Sequence, residues 1–329
     1  MKTAIFSTKP YDREYFTKHN KDFSHEISFY EAPLDSKTVN LCSGYEAVCV
    51  FVNDSITEET IQNLSKQGVK LIALRCAGFN NVNLEAAKKH GLTVVRVPAY
   101  SPHAVAEHTV ALILTLNRKT HKAYNRVREH NFSLEKLQGF DVYNKTIGVI
   151  GTGNIGAIFC KIMTGFGCNI LAFDVNPCKE LEKSGVTYTS IDTIFSKSDI
   201  ISLHCPLNKS TKHIINKHSI EKMKEGVMII NTSRGGLIHT KDAIKGLKSK
   251  KIGALGIDVY EQEEALFFQD LSESIIEDDV IARLTTFPNV LITAHQGFFT
   301  HEALTQIAQT SLQNITNFAN NKATNTVTA

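Results

Sequence analysis

The sequence predicts two α/β domains, each built around a parallel β-sheet. Its 329 residues suggest two domains, and short apolar strands alternate with helical segments along most of the chain. A glycine-rich fingerprint near residue 150 opens the second alternating series, and an amphipathic helix at 301–320 follows that series. If this helix packs on the first domain, the second domain is an insertion, with crossings near residues 100 and 300.

The first α/β unit runs to about residue 100. Thr57 begins a helix in which Ile61 and Leu64 give helical spacing, and Gly68 ends it. A polar stretch follows the first strand, and no element is assigned there. The other predicted elements are strands at 3–7, 46–52, 69–78 and 92–100 and a capped helix at 83–91.

Residues 103–130 predict one long helix or two in succession. The first half is apolar all round, which indicates burial between elements or domains. The apolar helix at 104–116 and the arm to about residue 145 are suited to subunit contact, with a symmetric dimer as the default. The second alternating series then places strands at 169–174, 199–204, 226–233, 252–259 and 289–294.

Composition and charge exclude several classes of partner. The formal net charge is only +3, from 36 basic and 33 acidic residues, so nothing favours nucleic acid or a membrane surface. The apolar run at 110–116 is too short to span a bilayer, and the N-terminal apolar stretch is too short for a signal peptide. The seven cysteines show no C-x-x-C spacing and predict free thiols in the cytoplasm.

The strongest local signal lies at 145–156. A β-branched strand runs into Gly151-x-Gly153-x-x-Gly156, a helix follows, and a second strand ends in Asp174, 18 positions after the last glycine. In such a unit the glycines permit a tight turn, close approach of the backbone to a pyrophosphate, and close packing of helix on strand. The helix N-terminus attracts the phosphates. The pattern therefore predicts a dinucleotide site.

The acidic residue at the end of the second strand favours NAD over NADP. The Asp174 carboxylate would accept hydrogen bonds from the adenosine ribose diol and would repel a 2′-phosphate. Lys179 is an alternative phosphate ligand, but it lies further along the chain, behind Pro177.

Three later segments, at 231–238, 256–264 and 292–299, end strands with polar or charged residues. In an open α/β sheet, ligands bind beyond the carboxyl ends of the strands, so an arginine, a glutamate and a histidine would converge there. Spacing leaves the choice open at two points. The competing carboxylates are Glu261, Glu263 and Glu264, and the competing guanidiniums near strand ends are Arg75 and Arg96.

On these residues the chain resembles the D-isomer-specific 2-hydroxyacid dehydrogenases, and among them the fermentative bacterial D-lactate dehydrogenases. The resemblance covers essentially the full length and includes further motifs at 74–84, 95–108 and 266–280. It implies two Rossmann-like, doubly wound parallel-sheet domains. The NAD-binding domain (101–299) would be inserted into the substrate, or catalytic, domain (1–100 and 300–329).

The resemblance also implies a role for each matched residue. Arg234 would hold the substrate carboxylate and polarise the keto oxygen, His295 would donate a proton to that oxygen, and Glu263 would pair with the imidazole. The other implied residues are Ala77 and Gly78 as backbone ligands of the carboxylate, Tyr100 and Phe298 in the pocket, Asn154 and Ile155 at the pyrophosphate turn, Cys205, Pro206 and Thr211 on the adenine and ribose side, Thr232 and Asp258 on the nicotinamide side, and Ser233 as a further cofactor ligand.

The residue types suit the chemistry. Hydride addition to a ketone builds negative charge on oxygen, which an imidazolium neutralises and a guanidinium stabilises. A planar, bidentate donor suits a carboxylate better than lysine does. A carboxylate beside the imidazole favours its charged form. No metal site is expected, because the two histidines at 103–108 do not share a helix face.

The resemblance implies reduction of pyruvate to D-lactate with NADH by a homodimer or homotetramer. The aromatic side chains of Phe51, Tyr100, Phe298 and Phe299 would leave little room for a bulky substrate. The alternatives are a reductase of glyoxylate, hydroxypyruvate or a larger 2-keto acid, and a non-enzymatic NAD(H)-sensing interaction protein.

Overall fold

The computed structural model describes residues 1–263 and 266–329, so the candidate Glu264 lies outside the described residues. The chain divides into two compact units. Unit 1 comprises Met1–Ser101 and Phe299–Ala329, and unit 2 comprises Pro102–Phe298. These limits lie within one residue of the boundaries stated above, and the assignment of unit 1 to the substrate stays a prediction.

Unit 1 is built on a five-stranded parallel sheet. Its strands are β1 (Lys2–Ile5), β2 (Glu26–Phe29), β3 (Ala47–Val50), β4 (Leu71–Leu74) and β5 (Thr93–Arg96), in the spatial order β2-β1-β3-β4-β5. Its helices are α1 (Pro10–His19), α2 (Glu58–Lys66), α3 (Leu84–Lys89) and the C-terminal α12 (His301–Ala319). Thr57 caps α2 by accepting a hydrogen bond from the Thr60 backbone.

Helices cover both faces of this sheet, which is why β3 and β4 are buried at every position. Val48 and Ile72 pack in one core with Ile61 of α2. The alternate residues of the same strands face a second core, which includes Leu312 and Ile315 of α12. The amphipathic C-terminal helix therefore completes unit 1.

A buried arginine links the end of β4 to α1. The Arg75 side chain is 2% exposed, with Nε 3.3 Å from Asp12 Oδ1, and Nη2 donates to the Ser7 carbonyl at 2.9 Å. Burial alone would lower the pKa of Arg75, but the Asp12 carboxylate raises it above its usual range. The guanidinium also stacks on Phe51, 4.8 Å from the ring centroid. Arg75, one of the competing guanidiniums in the sequence, is therefore held in a structural ion pair.

Unit 2 contains a seven-stranded, all-parallel sheet. Its strands are β6 (Thr146–Ile150), β7 (Asn169–Phe173), β8 (Thr187–Tyr188), β9 (Ile200–Leu203), β10 (Val227–Asn231), β11 (Ile252–Ile257) and β12 (Val290–Ile292), in the order β12-β11-β10-β9-β6-β7-β8. The chain starts at β6, builds one side through β8 and then the other side from β9. The direction of winding therefore reverses between β9 and β6, where such folds bind ligands.

Eight helices surround this sheet among the described residues. They are α4 (Pro102–Arg118), α5 (Thr120–Arg128), α6 (Asn154–Gly165), α7 (Lys179–Lys183), α8 (Ile191–Lys197), α9 (Lys217–Lys222), α10 (Thr240–Lys248) and α11 (Asp279–Thr285). The predicted long helical segment thus forms two helices, separated at Lys119, whose φ of 51° is left-handed. Buried residues of α4 share a core with those of β6 and α6.

The predicted fold class, two parallel-sheet α/β domains, is confirmed. Two elements of unit 1, α1 and β2, had no assignment in the sequence. In the part of the chain that the structure describes, no helix has the length and apolar character needed to cross a membrane.

Candidate active site

The glycine-rich loop lies between β6 and α6 and is shaped by close backbone contacts. Gly151 has a left-handed φ of 98°, and a side chain there would collide with the backbone of His204 and Cys205. A side chain at Gly156 would overlap the carbonyl oxygen of Gly151, whereas one at Gly153 would meet nothing. The loop is therefore tightly packed at Gly151 and Gly156 and open at Gly153, and it lies at the N-terminus of a 12-residue helix. This geometry fits a pyrophosphate.

The carboxylate at the end of β7 is held beside this loop. Asp174 Oδ2 accepts hydrogen bonds from the Thr152 backbone at 2.6 Å and from the Thr152 hydroxyl at 3.2 Å. Oδ1 accepts from the Asn176 backbone at 2.8 Å, and Tyr188 supports Thr152 through a 2.7 Å hydroxyl contact. Because the carboxylate and the open loop lie at the same edge of the sheet, these residues fit the adenosine end of a dinucleotide.

The other predicted cofactor residues occupy loops at the same edge. Asn154 and Ile155 are the first two residues of α6. Cys205 is buried, which raises the pKa of its thiol to about 11, and its carbonyl accepts from the Ser233 hydroxyl at 2.8 Å. The Thr211 hydroxyl donates to the Pro206 carbonyl at 2.6 Å. The roles of these residues toward the cofactor stay predictions.

Three neighbouring strands carry the three predicted catalytic side chains. Arg234 follows β10, Glu263 follows β11 and His295 follows β12, and these strands are adjacent in the order β12-β11-β10. All strands are parallel, so the three residues lie at the same carboxyl edge of the sheet.

His295 is paired with one of the competing carboxylates. Its Nδ1 lies 2.9 Å from Glu263 Oε1, and the second carboxylate oxygen accepts from the Tyr260 backbone at 2.8 Å. Glu261 points elsewhere: it contacts His213 at 2.6 Å and accepts from the Thr240 hydroxyl at 3.1 Å. The geometry therefore brings Glu263, and not Glu261, to the imidazole.

The loop that carries His295 adopts an unusual backbone conformation. Ala294 and His295 both have left-handed φ angles, 49° and 60°, which cost about 1–2 kcal/mol each for residues with a side chain. The Asp258 carboxylate offsets this cost by accepting hydrogen bonds from the backbone of Gln296 at 2.7 Å and of Gly297 at 2.8 Å. The His295 backbone N–H donates to the Asp258 carbonyl at 2.5 Å.

Asp258 is held as a buried anion. Burial opposes the charge, but hydrogen bonds from His108, Thr293 and Gly297 hold the pKa of Asp258 below its usual range. The Asp258 side chain is only 3% exposed. Its predicted contact with the nicotinamide side stays a prediction. No local pattern in the sequence connects α4 with the end of β11, so the sequence does not predict the contact between His108 and Asp258.

Arg234 projects from a loop that Asn231 stabilises. The buried Asn231 amide donates to the Arg234 carbonyl at 2.9 Å and accepts from the Ser233 backbone at 3.1 Å. The half-buried guanidinium donates to the Ser233 carbonyl at 2.7 Å. A side chain at Gly235 would overlap the backbone of Tyr260, so only glycine fits between the loops after β10 and β11.

The predicted substrate residues are divided between the units. Ala77, Gly78 and Tyr100 lie in unit 1, where the Arg96 guanidinium donates to the Ala77 carbonyl at 2.7 Å. Phe298 is buried in unit 2, and its ring lies edge-on to His295 at 6.5 Å. The contacts of these four predicted residues with substrate stay predictions. Arg96, one of the competing guanidiniums in the sequence, supports the backbone at Ala77.

All seven cysteines lie in the described residues, and none of them forms a disulfide bond. Within residues 1–263 and 266–329, no group of three or more histidine, cysteine or acidic side chains could hold a metal ion.

Comparison with known proteins identifies the family. Residues 110–297 match the model of the D-isomer specific 2-hydroxyacid dehydrogenase, NAD binding domain. The chain belongs to the D-isomer-specific 2-hydroxyacid dehydrogenase family. It is 54% identical to a D-lactate dehydrogenase of Escherichia coli K12 over 96% of both chains. The predicted family, its enzyme class and the NAD cofactor are thereby confirmed.

Solved structures of this dehydrogenase family agree in fold. The apo-structure of D-lactate dehydrogenase from Escherichia coli superimposes with a TM-score of 0.91 at 51% identity, covering 98% of each chain. A D-lactate dehydrogenase from Aquifex aeolicus complexed with NAD and lactic acid gives a TM-score of 0.85 at 35% identity, covering 97% of this chain and 96% of that one.

Replacing Asp174 with serine is expected to weaken NADH binding and strengthen NADPH binding, because it removes the carboxylate that would repel the 2′-phosphate. We expect the preference for NADH to fall by about tenfold or more, corresponding to about 1.4 kcal/mol. Fluorescence titration with each reduced cofactor measures both dissociation constants. Asp192→Ser, at an exposed site in the same unit, is the control. An unchanged preference in Asp174→Ser would contradict the assignment.

Replacing Asp258 with asparagine is expected to destabilise the protein more at pH 6 than at pH 3. The pKa of Asp258 is lowered in the folded state, so its charge stabilises the fold above the unfolded pKa of about 4. That contribution is lost as the pH falls through the folded pKa. Thermal unfolding of both proteins between pH 6 and pH 3 measures the difference. A difference that does not change with pH would exclude a role for the charge.

Proposed function

We propose that the protein is an NAD-dependent D-lactate dehydrogenase that reduces pyruvate to D-lactate. The observation that carries the proposal is the His295–Glu263 pair, whose atoms lie 2.9 Å apart at the strand ends that also carry Arg234. Relatives named D-lactate dehydrogenase support the choice of substrate.

Binding of the keto acid is assigned to one charged side chain and two backbone groups. Arg234 would bind the substrate carboxylate through two parallel N–H hydrogen bonds and would place its positive charge near the keto oxygen. The backbone N–H groups of Ala77 and Gly78 would complete the carboxylate site. The negative charge of a 2-keto acid is thereby matched by a donor whose protonation does not change with pH.

Proton transfer is assigned to the imidazole. Since Nδ1 of His295 donates to Glu263, Nε2 is the nitrogen that can deliver a proton to the keto oxygen. The Glu263 carboxylate stabilises the imidazolium before transfer and selects the tautomer that remains after it. When bound, NADH supplies the hydride that adds to the carbonyl carbon. In the reverse direction His295 accepts the hydroxyl proton of the 2-hydroxy acid.

A symmetric dimer or tetramer and a cytoplasmic location complete the proposal. Several large apolar side chains on α5 and the following arm are exposed in the single chain, as a subunit contact would require. They are Tyr124, Val127, Phe132, Leu134 and Tyr143. The lack of disulfide bonds among the seven cysteines supports a reducing compartment.

Substrate preference tests this function. We expect kcat/KM to fall from pyruvate to 2-ketobutyrate and again to phenylpyruvate, because the predicted pocket residues Phe51, Tyr100, Phe298 and Phe299 would leave little room for a large substituent. Oxidation of NADH, followed by its absorbance, measures each substrate, with glyoxylate and hydroxypyruvate as comparisons. A preference for phenylpyruvate would contradict the proposal. No turnover with any 2-keto acid would favour the NAD(H)-sensing alternative.

The pH dependence of reduction tests the catalytic pair. Reduction needs protonated His295, so the rate falls as the pH rises and the imidazole loses its proton. Glu263→Gln removes the charge that favours the protonated ring, and we expect this fall to occur at lower pH. His295→Gln should lose at least about 100-fold in kcat.

The second histidine–glutamate pair in unit 2 offers a matched control. His213→Gln alters a ring that contacts Glu261 at 2.6 Å, and it should leave the pH–rate profile unchanged. An identical profile for Glu263→Gln and the unmodified protein would rule out the role given to Glu263.

A further inference from the structure

A histidine of α4 contacts the loop that carries the proton donor. His108 Nε2 lies 2.9 Å from the Thr293 hydroxyl and 3.3 Å from Asp258 Oδ1. Thr293 comes two residues before His295. The His108 side chain is 18% exposed, so most of it is enclosed by this part of unit 2.

The directions of these hydrogen bonds follow from the distances. The Thr293 hydroxyl lies 2.6 Å from Asp258 Oδ1, and it donates its proton because the carboxylate can only accept. The Thr293 oxygen must then accept from His108, which places a proton on Nε2. The result is a chain in which His108 donates to Thr293 and Thr293 donates to Asp258, with Asp258 Oδ1 as a second, longer acceptor for the same N–H of His108. Such chains strengthen each of their members.

The carboxylate at the end of this chain determines the shape of the His295 loop. It accepts the backbone N–H groups of Gln296 and Gly297. A side chain at Gly297 would lie 2.8 Å from Asp258 Oδ2 and 3.5 Å from His108 Cδ2. Carboxylate and imidazole therefore pack directly beneath the loop, where a small displacement of either would move His295.

The next residue of α4 reaches the neighbouring loop. The Thr109 hydroxyl donates to the Val105 carbonyl at 2.8 Å and so accepts from the Thr232 hydroxyl, also at 2.8 Å. Thr232 comes two residues before Arg234. Adjacent residues of one helix thus support the loop of the proposed proton donor and the loop of the proposed carboxylate ligand.

We propose that His108 is a positioning residue for His295. It acts through Thr293 and Asp258 to hold the imidazole where its proton can reach the substrate, and it does not itself contact substrate. The inference rests on the proposed function, because it takes His295 to be the proton donor.

Two amide substitutions at His108 distinguish the effect of losing the Nε2 hydrogen bond from the effect of losing the packing of the ring. The amide nitrogen of glutamine can replace Nε2 of histidine, whereas the shorter asparagine reaches only the position of Nδ1. We expect His108→Asn to lower kcat for pyruvate reduction by about 10- to 100-fold, because a displacement of about 1 Å has this effect. KM for pyruvate and the dissociation constant of NADH should change by less than about 2-fold. His108→Gln should restore kcat to within about 3-fold.

A second readout does not depend on activity. With ¹³C-labelled histidine, the ring signals of His295 are identified by their absence in His295→Gln. In His108→Asn these signals should shift or broaden, and in His108→Gln they should return to the positions of the unmodified protein. A merely structural role would lower the melting temperature of both variants and leave the His295 signals of the folded protein unchanged.

Each outcome decides the proposal. Unchanged kcat and unchanged His295 signals in His108→Asn would overturn it, as would a loss that His108→Gln does not restore. If His108→Asn does not fold, Thr293→Val and Thr293→Ser test the same link, since only serine keeps the hydroxyl. If the unmodified protein reduces no 2-keto acid, the proposed function fails, and the histidine signals still test the positioning.

Discussion

The buried charge of Asp258 is the interaction on which this edge of unit 2 depends. The Asp258 carboxylate directly follows β11. It accepts hydrogen bonds from the backbone N–H groups of the loop after β12 and contacts the His108 side chain of α4. An anion in a protein interior is stable only when several donors surround it. The loop supplies two of those donors, the backbone N–H groups of Gln296 and Gly297, in its left-handed conformation. The charge of Asp258, the shape of the loop and the direction of the His295 side chain therefore depend on one another.

The fold was largely predictable from the sequence because its strands are short, apolar and regularly separated. The two elements without an assignment, α1 and β2, show why periodicity fails in places. The first buries only Asp12 and Phe16, so it lacks the repeated apolar positions by which periodicity identifies a helix. The second is an edge strand with no fully buried residue, and it lacks the pattern of a central strand.

The candidate site was predictable wherever a motif is continuous in the sequence, as in the glycine-rich loop. Spacing could not choose between Glu261 and Glu263, because residues two apart in a loop can face different partners. In the structure, Glu261 contacts His213, whereas Glu263 contacts His295. The contact between His108 and Asp258 joins segments that are distant in the chain, and only the folded sheet brings them together.

The paired left-handed residues before Gln296 have a consequence for the energetics of turnover. The hydrogen bonds of a buried carboxylate oppose this conformational cost within the folded chain. If His295 is the proton donor, as proposed, these bonds restrict the loop that carries it and reduce the entropy that a mobile side chain would lose in the reaction.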